Sequence, residues 1–420
     1  MTIPYLTADL PGTGGRIKSR TEDFIVREIP LYPASGQGIH VYFTIEKRGI
    51  STLGAVNMIA RALGRKTMEI GYAGLKDTQA VARQTFSIEH ESHTRVAALE
   101  LPQIRILEVT RHQNKLKIGH LAGNHFTIKI RNDQWAIAGG SVADAGQTAT
   151  AVLQRLATTG VPNFFGPQRF GMRGDNHQLG LSLLRGRSEE FLKRWLGDPD
   201  PQVDHGGVLE ARRHFANGNL DLAVTHWPGH LREERRALGL LARHPKKFDQ
   251  AMRLVDIRLK RLLISALQAH LFNETLSLRL AQFNTILPGD LAWKHDIGAV
   301  FRVGNSAAEA AVEQPRCDAH EISPSGPMFG YRMTEPEGEP GEMEKTVLEK
   351  AELKPSDFHS PRAEKSKGSR RAMRFFPSEM TLNTGTDDLG PFLELIFALP
   401  PGCFATVLLG EIMKTDVPVD

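Results

Sequence analysis

The stretch Val161-Pro162-Asn163-Phe164-Phe165-Gly166-Pro167-Gln168-Arg169-Phe170-Gly171 breaks the periodicity of everything around it. On its N-terminal side the chain reads as short strands and two helices. Phe24-Ile25-Val26 and His40 to Ile45 are rich in β-branched and aromatic residues, as strands are. Ser51 or Thr52 caps a helix whose apolar face is Leu53, Val56, Ile59 and Leu63, and Gly64 closes it. Met68 to Ala73 is predicted as a strand that empties into the turn Gly74-Leu75-Lys76-Asp77. Thr85 to Ile88, Ile104 to Val109 and Lys115 to Ile118 are predicted as further strands. Phe126, Ile128 and Ile130 alternate with polar residues, the period of a half-buried strand. A helix from about Thr148 to Thr159 ends at Gly160. This is an α+β pattern with a mixed or mainly antiparallel sheet.

Beyond Gly171 the texture turns helical. The longest helical candidate is Ile257 to Gln282, with Leu259, Leu262, Leu263, Ala266, Leu267, His270 and Leu271 along one side. Residues 334–361 interleave Glu335, Glu337, Glu339, Glu342 and Glu344 with Pro336, Gly338, Pro340 and Gly341, which predicts a flexible loop or linker. Strands then return at Arg374-Phe375-Phe376 and in the alternation Leu393, Leu395, Phe397, Leu399. Strand-rich ends around a helical middle imply one α+β domain interrupted by an inserted domain. The expected segments are 1–159, an insertion over 160–365, and a return over 366–420.

Composition narrows the class. The 420 residues carry 52 Lys+Arg against 48 Asp+Glu, a formal charge of +4, and 40% are hydrophobic. That balance suits a folded protein of two or three domains. Cys317 and Cys403 are the two cysteines, too few for a disulfide framework or a cysteine-rich zinc site. No basic segment with an apolar run opens the chain, and no apolar stretch reaches the ~18 residues of a membrane helix, so a cytoplasmic protein with no membrane partner is expected. Gly12 to Ser19 reads GTGGRIKS, but Ile17 stands where a phosphate-binding loop needs glycine. GxGxxG, HExxH and GxSxG are missing, so P-loop, dinucleotide, zinc-protease and α/β-hydrolase chemistries lack their parts. His120, His125, His270 and Asp296 share no ligand spacing, and no metal is expected.

Three segments carry chemistry. In Gly71-Tyr72-Ala73-Gly74-Leu75-Lys76-Asp77 a glycine-flanked turn presents a lysine beside an aspartate, which suits a nucleophile or base; a plain surface turn reads the same way. In Gly123-Asn124-His125-Phe126 the amide suits a base edge and the ring suits stacking, although Phe126 is also in register with the strand core. In the stretch from Asn163 to Gly171, Arg169 suits a phosphate clamp, or an ion pair at a domain junction. Two basic runs add possible contacts to RNA backbone: Arg232 to Arg261, and Pro361 to Arg374 with Arg362, Lys365, Lys367, Arg370, Arg371 and Arg374. Solvated helix faces would read alike.

FIVRE (24–28), GLKDTQAVARQ (74–84), GNHF (123–126), NFFGPQRFG (163–171), QAHLFN (268–273) and LPPGCFATVLLGE (399–411) together resemble the TruD family of tRNA pseudouridine synthases, in the right order and across nearly the whole chain. The resemblance implies a pseudouridine-synthase catalytic domain interrupted by a family-specific α/β insertion, acting on uridine 13 of tRNA. It places the catalytic aspartate on Asp77, its neighbouring lysine on Lys76, a further lysine on Lys18 and the first-strand aromatic on Phe24. The family's GNxF pair falls on Asn124 and Phe126, and its junction motif on Gln168, Arg169 and Phe170. Thr78 stands where the family usually has a basic residue, Ala82 where it has threonine, Phe164 where it has tyrosine and Ala269 where it has serine. The implied reaction breaks N1–C1′ and joins C5 to C1′, using neither redox cofactor nor metal. The competing reading is a non-catalytic RNA-binding protein or RNA chaperone that keeps the fold; a Lys-Asp turn is what separates the two.

Overall fold

The structure is a computed structural model that describes residues 3–137, 141–360 and 365–415. It divides into two compact units. One joins residues 4–163 to the segment from Phe375 onward; the other is built on Phe164–Arg374.

The split unit is organised by one eight-stranded sheet. Its strands are β1 (Phe24–Pro30), β2 (His40–Arg48), β3 (Gly71–Tyr72), β4 (Val81–Glu89), β5 (Ile104–His112), β6 (Leu121–Arg131), β7 (Ser378–Asp387) and β8 (Gly390–Leu399). The order is β7-β8-β6-β1-β4-β2-β5, with β3 paired to β4. Only β1 and β4 run parallel among the pairs described. The returning segment therefore enters beside β6 as the hairpin β7-β8, with Phe397 opposite Phe126. Helix α1 (Thr52–Leu63) starts where Ser51 Oγ accepts from the Gly54 N–H at 3.0 Å and stops at Gly64, whose φ is 65°. Its Val56, Ile59 and Leu63 pack on Val41, Phe43 and Ile45 of β2. Helix α2 (Val142–Thr159) and helix α3 (Ala405–Met413) complete the unit.

Two expected strands differ. Met68 to Ala73 forms a 3-10 turn over Thr67–Glu69 and then only the two-residue β3. Lys115 to Ile118 is not a strand: the Leu116 N–H is taken by Ser87 Oγ at 3.0 Å, so it joins no ladder. Gly71 permits this, because a Cβ there would lie 2.2 Å from the Leu116 carbonyl oxygen.

The inserted unit is mostly helical around Phe191, Leu192, Leu196, Leu238, Leu263 and Phe358. Its long helix Ile257–Arg279 packs against Asn176–Leu184, where Gly180 lets the two backbones approach; a Cβ would lie 2.3 Å from the Leu263 oxygen. A four-stranded sheet runs Ser369–Ala372, Ile322–Met328, Leu291–Lys294, Val300–Arg302. Ser369–Ala372 pairs with Ile322–Met328, so Arg370 and Arg371 belong to this unit and not to the returning segment. Within 334–361, expected as a loop, lie the helix Gly338–Lys350 and a 3-10 turn at Pro355–His359. Pro340 falls in the first helical turn, where a missing N–H costs nothing, and Val347, Leu348 and Phe358 bury into the core. Among the described residues no helix is long and apolar enough to cross a membrane.

Candidate active site

Strand register builds the site. β1 alternates so that Phe24, Val26 and Glu28 point to one face, opposite Ile128, Phe126 and Asn124 of β6. Val26 aligns with Ala82 of β4, and Ala82 lies opposite Lys47 of β2, so Gln84 and Lys47 share that face. The loop between β3 and β4 crosses above them and carries Lys76 and Asp77.

The face grips the loop by name. Gln84 Nε2 donates to the Gly74 carbonyl at 3.1 Å, and Thr52 Oγ1 donates to Gln84 Oε1 at 2.9 Å while accepting the Lys76 N–H at 2.9 Å. Lys47, wholly buried, donates to the carbonyls of Asp77 at 2.7 Å and Ile50 at 2.6 Å. Lys76 pairs with Glu28 at 3.0 Å, both buried. Under the turn, Lys76 and Glu28 thus neutralise each other and the Lys47 ammonium is held by two carbonyl oxygens, so each buried charge has polar partners. Above it, Lys18 Nζ lies 3.1 Å from Asp77 Oδ1; the lysine side chain is 5% exposed and the aspartate 36%. Lys18 sits at φ 58° and its ammonium is 4.7 Å from the centre of the Phe24 ring. Phe24 meets Phe126 edge-on at 6.1 Å, and Phe126 stacks on Phe397 at 5.3 Å. Asn124 Oδ1 is buried with no hydrogen-bond partner, an open acceptor in the same face.

Asp77, Lys18, Phe24, Lys76, Asn124 and Phe126 are therefore brought together in the split unit. Four participants were missed at the level of sequence: Glu28, Lys47, Thr52 and Gln84. Glu28 left a trace, as a carboxylate in phase with the inward residues Phe24 and Val26; Gln84 closes the motif of residues 74–84 and Thr52 reads as a helix cap, neither with a role at the site, and Lys47 left no trace.

The remaining candidates lie in the inserted unit. Gln168 is exposed on a 3-10 turn over Pro167–Phe170. Arg169 donates to Ser265 Oγ and lies over Phe165; burial lowers its guanidinium from the ordinary value. Phe170 is buried against His177 and His270. Arg370 forks onto Glu344 at 2.9 and 2.7 Å, and Arg374 is buried on Ser323 Oγ and the Cys317 carbonyl. Both guanidinium groups are buried against the strand Ile322–Met328 and do not face solvent, contrary to a role on RNA backbone. Arg371 lies 4.2 Å over the Phe165 ring. Arg362 of the basic run lies outside the described residues. No group of three His, Cys, Asp or Glu among the described residues could hold a metal.

The family model for tRNA pseudouridine synthase D (TruD) matches residues 1–412. The tRNA pseudouridine synthase D of Geobacter sulfurreducens is 43% identical over 410 residues, covering 98% of this chain and 96% of the relative. That of Geobacter metallireducens is 44% identical over 414 residues, covering 99% and 98%. A crystal structure from Methanosarcina mazei, assigned as tRNA pseudouridine synthase D, superposes with a TM-score of 0.82 at 25% identity over 99% of both chains. The chain belongs to the TruD family of tRNA pseudouridine synthases, and the expected α+β class is the one found.

Proposed function

We propose that this chain isomerises uridine to pseudouridine in tRNA, at uridine 13, with Asp77 as the catalytic group. The observation that carries the assignment is the Lys18–Asp77 pair: of the two carboxylates held by lysines on this face, Glu28 is sealed and Asp77 opens to solvent. The target base must leave its stack to reach such a group. Asp77 then acts on the nucleoside as nucleophile or base while N1–C1′ breaks; the freed uracil turns, C5 joins C1′, C5 gives up its proton and N1 gains one, so atoms balance without a co-reactant. Asn124 Oδ1 is placed to accept a hydrogen bond from the uracil edge, and the Phe24–Phe126 pair forms an apolar wall that excludes water. Gln168, Arg169, Phe170 and Arg371 are assigned to the RNA from their place in the junction motif and basic run. A tRNA substrate is in keeping with a cytoplasmic protein.

The test is incubation of the native protein and Asp77→Asn with unmodified tRNA transcripts, mapping pseudouridine by carbodiimide-dependent primer-extension stops. A stop at position 13 with the native chain alone supports both assignments. A stop with Asp77→Asn refutes the role of Asp77, and tRNA binding without any stop favours the binding-only reading.

A further inference from the structure

A second concave site lies in the split unit, with a cavity of about 610 Å³ lined by Tyr32, His40, His112, Lys115, Lys117 and His120 among others. The carboxylate chemistry of Asp77 does not use it. Among the described residues lining it there is no Asp or Glu.

Its position follows from the strands that build the active site. Tyr32 lies two residues past the end of β1 and His120 immediately precedes β6. Pro30 aligns with Leu121, and Glu28 with Asn124, so the pocket is the continuation of the same strand pair. Tyr32 is four positions beyond Glu28 in the chain, past the end of β1 at Pro30. The Gly119 N–H donates to the Ala73 carbonyl at 2.8 Å, which ties the loop bearing Lys117 to the start of the Gly74–Asp77 turn.

The lining is prearranged. Tyr32 and His112 stack with centroids 5.1 Å apart and planes 18° apart, and Tyr42 backs His112 at 4.8 Å. The Ser35 N–H donates to His112 Nδ1 at 3.1 Å, so the ring proton sits on Nε2 as a donor. Tyr32 Oη is 2.7 Å from His120 Nδ1. Lys115 is anchored to the Met68 carbonyl at 2.7 Å, whereas Lys117 is exposed. His40 is 6% exposed, and its Nδ1 is buried with no hydrogen-bond partner. A buried unpaired polar atom is costly until something fills it.

Lysines without an opposing carboxylate suit an anion, and a planar ring pair suits a base. Together they suit one unit, a nucleotide. We propose that this pocket seats a nucleotide of the substrate RNA flanking the reacting uridine, its base continuing the Tyr32–His112 stack and its phosphate on Lys115 and Lys117. This rests on the tRNA reading above, and it makes Tyr32 and Lys117 binding residues outside the reacting centre.

The experiment is steady-state kinetics and tRNA binding across a salt series for the native chain, Tyr32→Ala, Tyr32→Phe, Lys117→Ala and Asp77→Asn. Tyr32→Ala should raise KM about tenfold, with the loss in KM and not in kcat. Tyr32→Phe keeps the ring and should recover most of that loss. Lys117→Ala changes an exposed side chain and so tests the pocket even if Tyr32→Ala fails to fold; it should reduce the slope of log affinity against log salt by about one. Unchanged KM and salt slope in Lys117→Ala, or a loss confined to kcat in Tyr32→Ala, overturns the proposal. Uridine monophosphate binding as tightly as tRNA would make this a free-nucleotide pocket and overturn it as well. Turnover by Asp77→Asn would defeat the catalytic assignment instead, and the salt slopes would still report on the pocket.

Discussion

Lys18–Asp77 in the split unit and Arg370–Glu344 in the inserted unit are both cation–carboxylate pairs, 3.1 and 2.7 Å apart. In the second, both side chains are under a tenth exposed and each guanidinium nitrogen of the fork has an oxygen. In the first, the cation is buried and the carboxylate is a third open. One pair spends its charge inside the fold. The other uses a buried lysine to hold an aspartate where a second molecule can reach it. Both pairs join a cation to a carboxylate far away in the sequence, 59 residues apart in the first and 26 in the second, so the sequence does not distinguish them; burial of the acid is what separates a structural pair from a reactive one.

The sharpest consequence is that the two acids should fail differently when replaced. Asp77→Asn should lower pseudouridine formation by at least about 10³-fold, as expected for a lost catalytic group, while tRNA binding and the unfolding midpoint stay near native. Glu344→Ala should do the reverse. It strands Arg370 in a buried site and should cost about 3–5 kcal/mol of stability. Three of the four tryptophans, Trp195, Trp227 and Trp293, lie in the inserted unit, so denaturant titration by fluorescence reads that loss directly. A Glu344→Ala protein of native stability would erase the contrast.

A smaller effect probes the support beneath Asp77. Thr52 Oγ1 both accepts the Lys76 N–H and donates to Gln84. Thr52→Val keeps the shape and removes both bonds, leaving the Lys76 N–H and a buried Gln84 oxygen without partners. The expected cost is about 1–3 kcal/mol in stability. Because the same change frees the turn, kcat should fall while tRNA affinity is kept. Loss of affinity with kcat intact would place Thr52 outside the reacting assembly.

Sequence made some of this legible and hid the rest for identifiable reasons. β1, β6, β8 and α1 followed from alternation, from Ser51 and from Gly64, because each is half-buried and carries its own period. The short β3 and the irregular 115–118 segment did not, because a single side chain, Ser87, replaces a ladder bond and Gly71 admits a carbonyl. The helix Gly338–Lys350 was masked by prolines and glycines that fall at its first turn. At the site, the turn and its partners on β1 and β6 could be named from motifs. The site roles of Lys47, Thr52 and Gln84 could not be read, since they depend on which strands become neighbours. Arg370 and Arg374 misled for the same reason: a basic run shows charge and not the strand that buries it.

The least effect concerns how the two units meet acid. In the inserted unit, His177 lies 4.3 Å from His270, ring centre to ring centre, with Phe170 against both. Burial, reinforced by the His270 charge, pushes the His177 imidazole down from 6.5 to about 4. Burial lowers His270 as well. An unfolded chain takes up the His177 proton near pH 6.5 and the folded unit refuses it until about 4, so stability present above 6.5 should drain away as pH falls between those values, and His270 acts in the same direction. After discounting for partial exposure, the part owed to His177 is on the order of 1 kcal/mol. In the split unit the hydrogen bonds from Arg131 hold Asp387 well below the usual carboxylate range, so its contribution persists into stronger acid, being lost only as pH drops below about 3.8. Unfolding followed by tryptophan fluorescence at about pH 7 and pH 4.5 should therefore show the inserted unit weakening first, and His177→Gln should flatten that slope. An acid limb that responds to Asp387→Asn and ignores His177→Gln would reverse the assignment, making the sheet's ion pairs the acid-sensitive part of the molecule.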